Sequence, residues 1–153
     1  MSSSPAAASE GAPHTEGAPH HVFALRVYYE DTDAAGVVYY ANYLRFAERA
    51  RTELLRAHGA DHASLAAESA VAFAVRSVGV EYLAPARLDD ALEVHTRVRH
   101  VGGATLDAEQ NILRGREVLT RLTVRLACLG RAGKPTRLPA GLRRSLDRLS
   151  VPH

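Results

Sequence analysis

The sequence predicts an α+β domain in which one long helix lies across a strongly curved antiparallel sheet of about five strands. Three observations carry that prediction. A run rich in β-branched and aromatic residues, Val22 to Tyr29, comes first; a single stretch of helical spacing, Tyr40 to His58, follows; four long strand-like runs come after it. Strand, helix and then strands in series is the pattern of a helix packed on one face of an antiparallel sheet. The 153 residues, 46% hydrophobic and 24% charged, suit one domain with one core. A chain of this size buries about two-thirds of the surface its unfolded form exposes, so it needs neither disulfide nor metal to fold.

Each element has its own signal. Residues 1–20 contain Ala, Ser, Pro, Gly and His but no large aliphatic side chain beyond Met1, and EGAPH occurs twice. Such a segment cannot offset its ordering entropy and is expected to be a disordered tail, leaving residues 21–150 as the folded domain. The first strand ends at the polar cluster Glu30-Asp31-Thr32-Asp33, and Ala34-Ala35-Gly36-Val37-Val38 reads as a loop around a glycine. Between Tyr40 and His58, the residues Tyr43, Phe46, Ala50, Leu54 and Ala57 step by three or four and form one apolar stripe. Arg45, Arg49, Glu53 and Arg56 occupy the opposite face, with Arg49 and Glu53 spaced as an i,i+4 pair. Gly59 supplies a C-cap, and a short helical piece over 62–68 leads to the next strand.

The remaining chain alternates as strands do. Val71 to Leu83, Leu92 to Val101, Thr105 to Arg114 and Val118 to Leu129 are separated by Pro85 through Asp90, by Gly102-Gly103 and by a short turn, which predicts an antiparallel meander. Pro139 to Leu149 has the spacing of a short amphipathic helix.

Composition also narrows function. The net charge of +2 is spread through an arginine-rich chain with interspersed acids, and the tyrosines cluster around an acidic motif, so no nucleic-acid partner is expected. No apolar run approaches the roughly 20 residues of a membrane span and the N-terminus lacks the order of a secretory signal, so a cytoplasmic protein without an integral membrane segment is expected. Cys128 lies in an apolar run and reads as a core residue, while His58, His62, His95 and His100 lack metal-ligand spacing; no metal and no cofactor is implied.

The informative segment is Tyr28 to Arg56. Two carboxylates, Asp31 and Asp33, stand at a strand end, followed by a glycine loop and then a helix start. Free N–H groups at a helix start carry partial positive charge and stabilise a developing oxyanion, and a nearby carboxylate attacks a carbonyl or activates water. The same spacing fits a carboxylate that only caps a turn.

The stretch Asp31-Thr32-Asp33-Ala34-Ala35-Gly36-Val37-Val38-Tyr39-Tyr40-Ala41-Asn42-Tyr43 resembles the signature of the 4-hydroxybenzoyl-CoA thioesterase superfamily, particularly its YbgC-type branch associated with the Tol-Pal envelope system. Phe46 to Glu53 continues the match, and Tyr82 to Asp90 resembles a second family segment. The resemblance implies a hot-dog fold, a homodimer or homotetramer, and an acyl-CoA or acyl carrier protein thioester as substrate. It makes Asp33 the catalytic carboxylate, as nucleophile or as general base, and gives the backbone N–H of Tyr40 the role of polarising the thioester carbonyl. Gly36, Val37 and Asn42 then fall on the substrate side. Many YbgC-type members carry histidine where this chain has Tyr40, so a histidine-dependent step is not available there.

A second reading is a hot-dog module that binds an acyl group or a protein partner without turnover. Asp33 and Gly36 favour the enzyme. Glu48 lies on the helix and reads as a surface or interface ion-pairing residue, and Arg87, Asp89 and Asp90 read as a structural salt-bridge cluster in a turn.

Overall fold

The computed structural model describes residues 18–58 and 71–150. Strand β1 spans His21–Arg26 and helix α1 Asn42–Ala57; β2 (Ala72–Tyr82), β3 (Ala91–Val101), β4 (Thr105–Arg114), β5 (Glu117–Leu129) and helix α2 (Ala140–Ser150) follow. A single 3-10 turn, Tyr29–Asp31, separates β1 from the loop before α1. The expected Gly59 cap and the helical piece at 62–68 lie outside the described residues.

All strand pairs are antiparallel, in the order β1-β3-β4-β5-β2. This corrects the simple meander. Strands β3, β4 and β5 do pair in sequence, but β2 pairs with β5 at the far edge, because residues 83–90 are a long link rather than a tight hairpin turn. The five-stranded sheet around α1 is the hot-dog arrangement.

Helix α1 buries Tyr43, Phe46, Ala47, Ala50, Leu54 and Leu55. The predicted stripe therefore holds as far as Leu54 and is widened by Ala47 and Leu55, whereas Ala57 is exposed at the helix end. Glu53 pairs with Arg56 at 3.5 Å instead of with Arg49, both being neighbours on the same helix face. Full burial of a side chain such as Phe46 contributes about 1.5–3 kcal/mol. Orientation comes from a polar tie: Gln110, 0% exposed, donates from Nε2 to the Ala47 carbonyl and to Thr96 Oγ1, both at 3.0 Å. Arg51 Nη1 donates to Gln110 Oε1 at 2.9 Å. One amide thus joins α1 to β3 and β4, and burial pulls the Arg51 guanidinium below its ordinary pKa.

Strand β2 covers only part of this core, with Phe73 and Val80 half-buried against it. Phe73, Val75, Val78, Val80 and Tyr82 lie opposite Cys128, Leu126, Val124, Leu122 and Thr120 of β5, all of which face inward. Arg76 is the extra residue of a bulge that keeps apolar residues on one face on both sides of it. Val75 and Val78 nevertheless remain 50% and 41% exposed, and β5 is the only strand that pairs with β2 among the described residues. Between α1 and β2 lies a cavity of about 210 Å³, lined by Glu48, Arg51, Thr52, Leu55, Phe73 and Val75 among others.

Helix α2 packs on β3 through buried Leu142 and Leu146, and Arg143 donates to the Gly102 carbonyl at 2.6 Å. No described helix is long and apolar enough to cross a membrane. At the N-terminal side the chain meets the sheet before residue 21: His20 N–H donates to Thr96 O, and His20 Nδ1 accepts the Val98 N–H at 2.9 Å. That ring serves an amide beside the bulge where β3 loses register with β4.

Candidate active site

The loop between the 3-10 turn and α1 is built around two aspartates with different positions. Asp31 is 8% exposed, and its Oδ2 accepts the Tyr28 N–H at 2.8 Å. Its carbonyl accepts the Tyr39 N–H at 3.0 Å and the Asn42 Nδ2–H at 2.9 Å. Asp31 therefore pins the two ends of the loop together, and Asn42 spends its side-chain donor on the same tie. Neither residue needs a ligand to explain these bonds.

Asp33 is exposed. Its Oδ1 accepts the Ala35 N–H at 2.9 Å and the Val37 N–H at 3.4 Å, an Asx-type turn, and its backbone N–H donates to Val37 O at 2.9 Å. Oδ2 takes no hydrogen bond among the described residues. One oxygen is held and the other is open. Gly36 sits at φ +79, a left-handed conformation that side-chain-bearing residues adopt poorly, and a Cβ there would meet nothing within 4 Å. Backbone conformation, and not crowding within the protein, is what asks for glycine.

Thr32 and Val38 form a β-bridge that brings the two arms of the loop side by side, with Asp33 just after one arm and Tyr40 just beyond the other. Helix α1 begins at Asn42, two residues later than the spacing predicts, because the first bonds at this end are of the tighter i→i+3 kind: Asn42 N–H to Tyr39 O at 2.8 Å and Tyr43 N–H to Tyr40 O at 3.4 Å. Ala41, the N-cap, has no side-chain oxygen to cap with. The N–H groups of Tyr40 and Ala41 donate to no acceptor among the described residues. Donors left unsatisfied at a helix start are suited to an oxyanion.

An aromatic cluster flanks these donors. The Tyr40 ring lies 4.8 Å from that of Tyr39 and 6.2 Å, edge-on, from that of Tyr82, which in turn lies 5.6 Å from Tyr43. Tyr82 Oη donates to the Tyr40 carbonyl at 3.3 Å. The neighbouring Tyr40 side chain holds the Tyr39 phenol above its usual pKa, while burial is the leading cause that raises Tyr43 and Tyr82. All six tyrosines of the chain are Tyr28, Tyr29, Tyr39, Tyr40, Tyr43 and Tyr82, so the aromatic residues are concentrated at this end. Tyr82 is the residue that sequence reasoning passed over. It lies at the end of a strand forty residues beyond the motif, at the head of the second family-like segment, which by itself gave it no role.

The far side of the loop rests on residues 85–90. Val38 N–H donates to Ala86 O at 2.9 Å, Leu88 N–H to Gly36 O at 3.2 Å, and Val37 bridges Arg87. Ala86 N–H donates to Tyr43 Oη at 2.9 Å. Val37 is thus half-buried between Asp33 and this turn. Glu48 is exposed on the rim of the α1–β2 cavity. Cys128 is fully buried, and burial raises its thiol pKa. Among the described residues no group of His, Cys, Asp and Glu could hold a metal ion.

Comparison with known proteins identifies the family. The family model described as thioesterase-like superfamily matches residues 27–146. The acyl-CoA thioesterase YbgC of Haemophilus influenzae is 45% identical over 129 residues, covering 83% of this chain and 94% of the relative. The acyl-CoA thioester hydrolase YbgC of Escherichia coli O6:H1 is 48% identical over 120 residues, covering 77% and 89%. Among solved structures, a probable thioesterase from Bartonella henselae superposes with a TM-score of 0.75 at 41% identity, covering 78% of this chain and 98% of that one. With the family model spanning most of the chain and relatives of this identity along nearly their whole length, the chain belongs to the thioesterase-like superfamily, in its YbgC acyl-CoA thioesterase branch.

Proposed function

We propose that this chain is an acyl-CoA thioester hydrolase in which Asp33 supplies the reacting carboxylate and the Tyr40 N–H stabilises the oxyanion. The observation that carries the reading is the pairing of a carboxylate with one pinned and one open oxygen and a helix start whose N–H groups are unsatisfied. A preorganised donor at such a site costs no rearrangement when charge develops on the carbonyl oxygen.

Two balanced routes use these groups. As nucleophile, Asp33 Oδ2 adds to the thioester carbonyl, the C–S bond breaks, and the thiolate leaves and takes a proton; water then cleaves the acyl–aspartyl anhydride to restore the carboxylate. As general base, Asp33 accepts a proton from water as that water adds to the carbonyl; collapse of the tetrahedral oxyanion then breaks the C–S bond, and Asp33 passes its proton to the departing thiolate, leaving thiol, acid and the restored carboxylate. In both, negative charge gathers on the oxygen that faces the Tyr40 N–H. Gly36 and Val37 shape the approach to Asp33, and Asn42 holds the helix start in place. The acyl group lies along the tyrosines and the cavity beside β2.

The half-exposed apolar face and open edge of β2 support a homodimer or homotetramer joined there, since an unpaired edge of this length invites pairing with another strand. The carrier is coenzyme A, as the names of the YbgC relatives indicate for those proteins, with acyl carrier protein thioesters as a second carrier. The test is a thiol-release assay across short-chain, long-chain and hydroxybenzoyl CoA esters and an acyl carrier protein thioester. Turnover of any of the CoA esters supports the reading. Tight binding of an acyl-CoA without thiol release would replace it with a non-catalytic acyl-binding module.

A further inference from the structure

We propose that Asp90 and Arg114 are positioning residues for Asp33, acting through the turn at residues 85–90. The inference rests on the assignment of Asp33 as the reacting carboxylate. Asp90 Oδ2 accepts from the Arg87 N–H at 2.8 Å and from Arg114 Nη1 at 2.7 Å. The same Nη1 reaches the Pro85 carbonyl at 3.3 Å, and Nη2 donates to Glu117 Oε1 at 2.9 Å. Both ends of the turn are therefore fastened to one ion pair at the end of β4.

The turn needs that fastening. Asp89 has φ 72, a left-handed conformation uncommon for a residue with a side chain, and it is braced from outside by Asp89 N–H to Val27 O at 3.0 Å and Arg26 Nη1 to Asp89 O at 2.6 Å. What the turn holds in its turn is the Asp33 loop. Gly36, Val37 and Val38 all find backbone partners on Ala86, Arg87 and Leu88, and Val37 N–H and C=O are the groups that bond Asp33. An unbroken series of contacts runs from Arg114 through Asp90, Arg87 and Val37 to the Asp33 carboxylate. Burial pushes the Asp90 carboxyl up, but the Arg87 N–H and the Arg114 guanidinium outweigh it and hold the group below its ordinary range, which agrees with a tightly engaged ion.

A comparable pair offers a control. Asp107 and Arg125 bond at 2.8 and 2.9 Å across β4 and β5, yet neither bonds to the loop or the turn. Loosening the Asp33 loop by a fraction of an ångström to one ångström is expected to lower turnover by about ten- to a hundredfold. The experiment measures kcat, KM and melting temperature for Asp90→Asn, Arg114→Met, Arg114→Lys, the Asp90→Asn/Arg114→Met double variant and Asp107→Asn, on an acyl-CoA that the wild type hydrolyses.

The expected result is a fall in kcat for Asp90→Asn and Arg114→Met with KM nearly unchanged. The double variant should be no worse than the poorer single, because both act through one contact. Arg114→Lys should recover part of the loss, since it keeps the charge but not the forked geometry. Asp107→Asn should lose stability and keep wild-type kcat. Wild-type kcat in Asp90→Asn, or an equal fall in Asp107→Asn, overturns the inference. If Arg114→Met does not fold, wild-type kcat in Arg114→Lys overturns it as well. Should Asp33→Asn abolish turnover while Asp90→Asn leaves it intact, this inference fails alone; undiminished turnover in Asp33→Asn removes the assignment beneath it.

Discussion

Replacing Tyr40 separates backbone from side-chain chemistry at the helix start. Tyr40 is 61% exposed, and its ring lies against those of Tyr39 and Tyr82. Tyr40→Phe therefore keeps both ring contacts and gives up only an exposed hydroxyl, so stability should change by no more than about 0.5 kcal/mol. Turnover should stay close to wild type. Tyr40→Ala also loses the contacts with Tyr39 and Tyr82, each of the kind that contributes about 0.5–1.5 kcal/mol when well packed. At this exposure a total near 1 kcal/mol is expected, with the kinetic effect mainly in KM because the ring would line the acyl path. Tyr40→Pro goes further by deleting the N–H, while keeping the carbonyl that accepts from Tyr82 and Tyr43. Loss of one oxyanion donor costs about 100- to 1000-fold in kcat, and the comparison with Tyr40→Ala isolates that loss. Steady-state thiol release, with thermal melts to confirm folding, supplies the numbers. A hundredfold fall in Tyr40→Phe would make the hydroxyl catalytic, and a folded Tyr40→Pro that matches Tyr40→Ala would refute the backbone account.

Three further outcomes follow from the geometry. Asp31→Ala should destabilise by about 1.5–3 kcal/mol, because the buried carboxylate accepts the Tyr28 N–H, whereas Asp31→Asn should retain more of both stability and activity; denaturant melts and kinetics check this. Deleting residues 1–20 removes the His20 acceptor of Val98 N–H and should cost about 1 kcal/mol without altering kcat. Asp90 and Asp107 are both held below the ordinary carboxylate value of 3.8. Their stabilisation is complete above that value and disappears as pH falls through the lower folded-state values, so the stability gap between wild type and Asp107→Asn should be largest near pH 6 and shrink toward pH 2; melts of both proteins from pH 6 to pH 2 test this, and a gap independent of pH would contradict it.

Local signals made most of the fold legible. Residues with helical spacing between Tyr43 and Leu54, strand alternation after residue 71 and the glycine turn at 102–103 each depend on neighbours close in the chain, and each appears in the structure. Strand order did not. The pairing of β2 with β5 joins residues about fifty positions apart, and alternation is the same whichever neighbour a strand takes. The Arg76 bulge was invisible for the same reason. Within the site, the spacing of Asp31 and Asp33 showed two carboxylates without distinguishing them; the distinction is burial, which belongs to the folded loop. The family resemblance puts Asn42 on the substrate side, and its bond to the Asp31 carbonyl gives it a second use as a loop tie. Tyr82 and Asp90 fall in the second family-like segment, but that segment gave neither a part in the site; their places beside it, and the pairing of Asp90 with Arg114, come from tertiary contacts.

The most direct test of the central claim is the turnover number of Asp33→Asn on an acyl-CoA ester that the wild type hydrolyses, with folding verified by thermal melt. The amide can still accept hydrogen bonds from Ala35 and Val37, so the loop should persist, but it is neither a nucleophile nor a base. Turnover should fall by at least about a hundredfold, the scale of a removed acid–base group, while Asp31→Asn retains more activity. A folded Asp33→Asn with wild-type turnover would contradict the account.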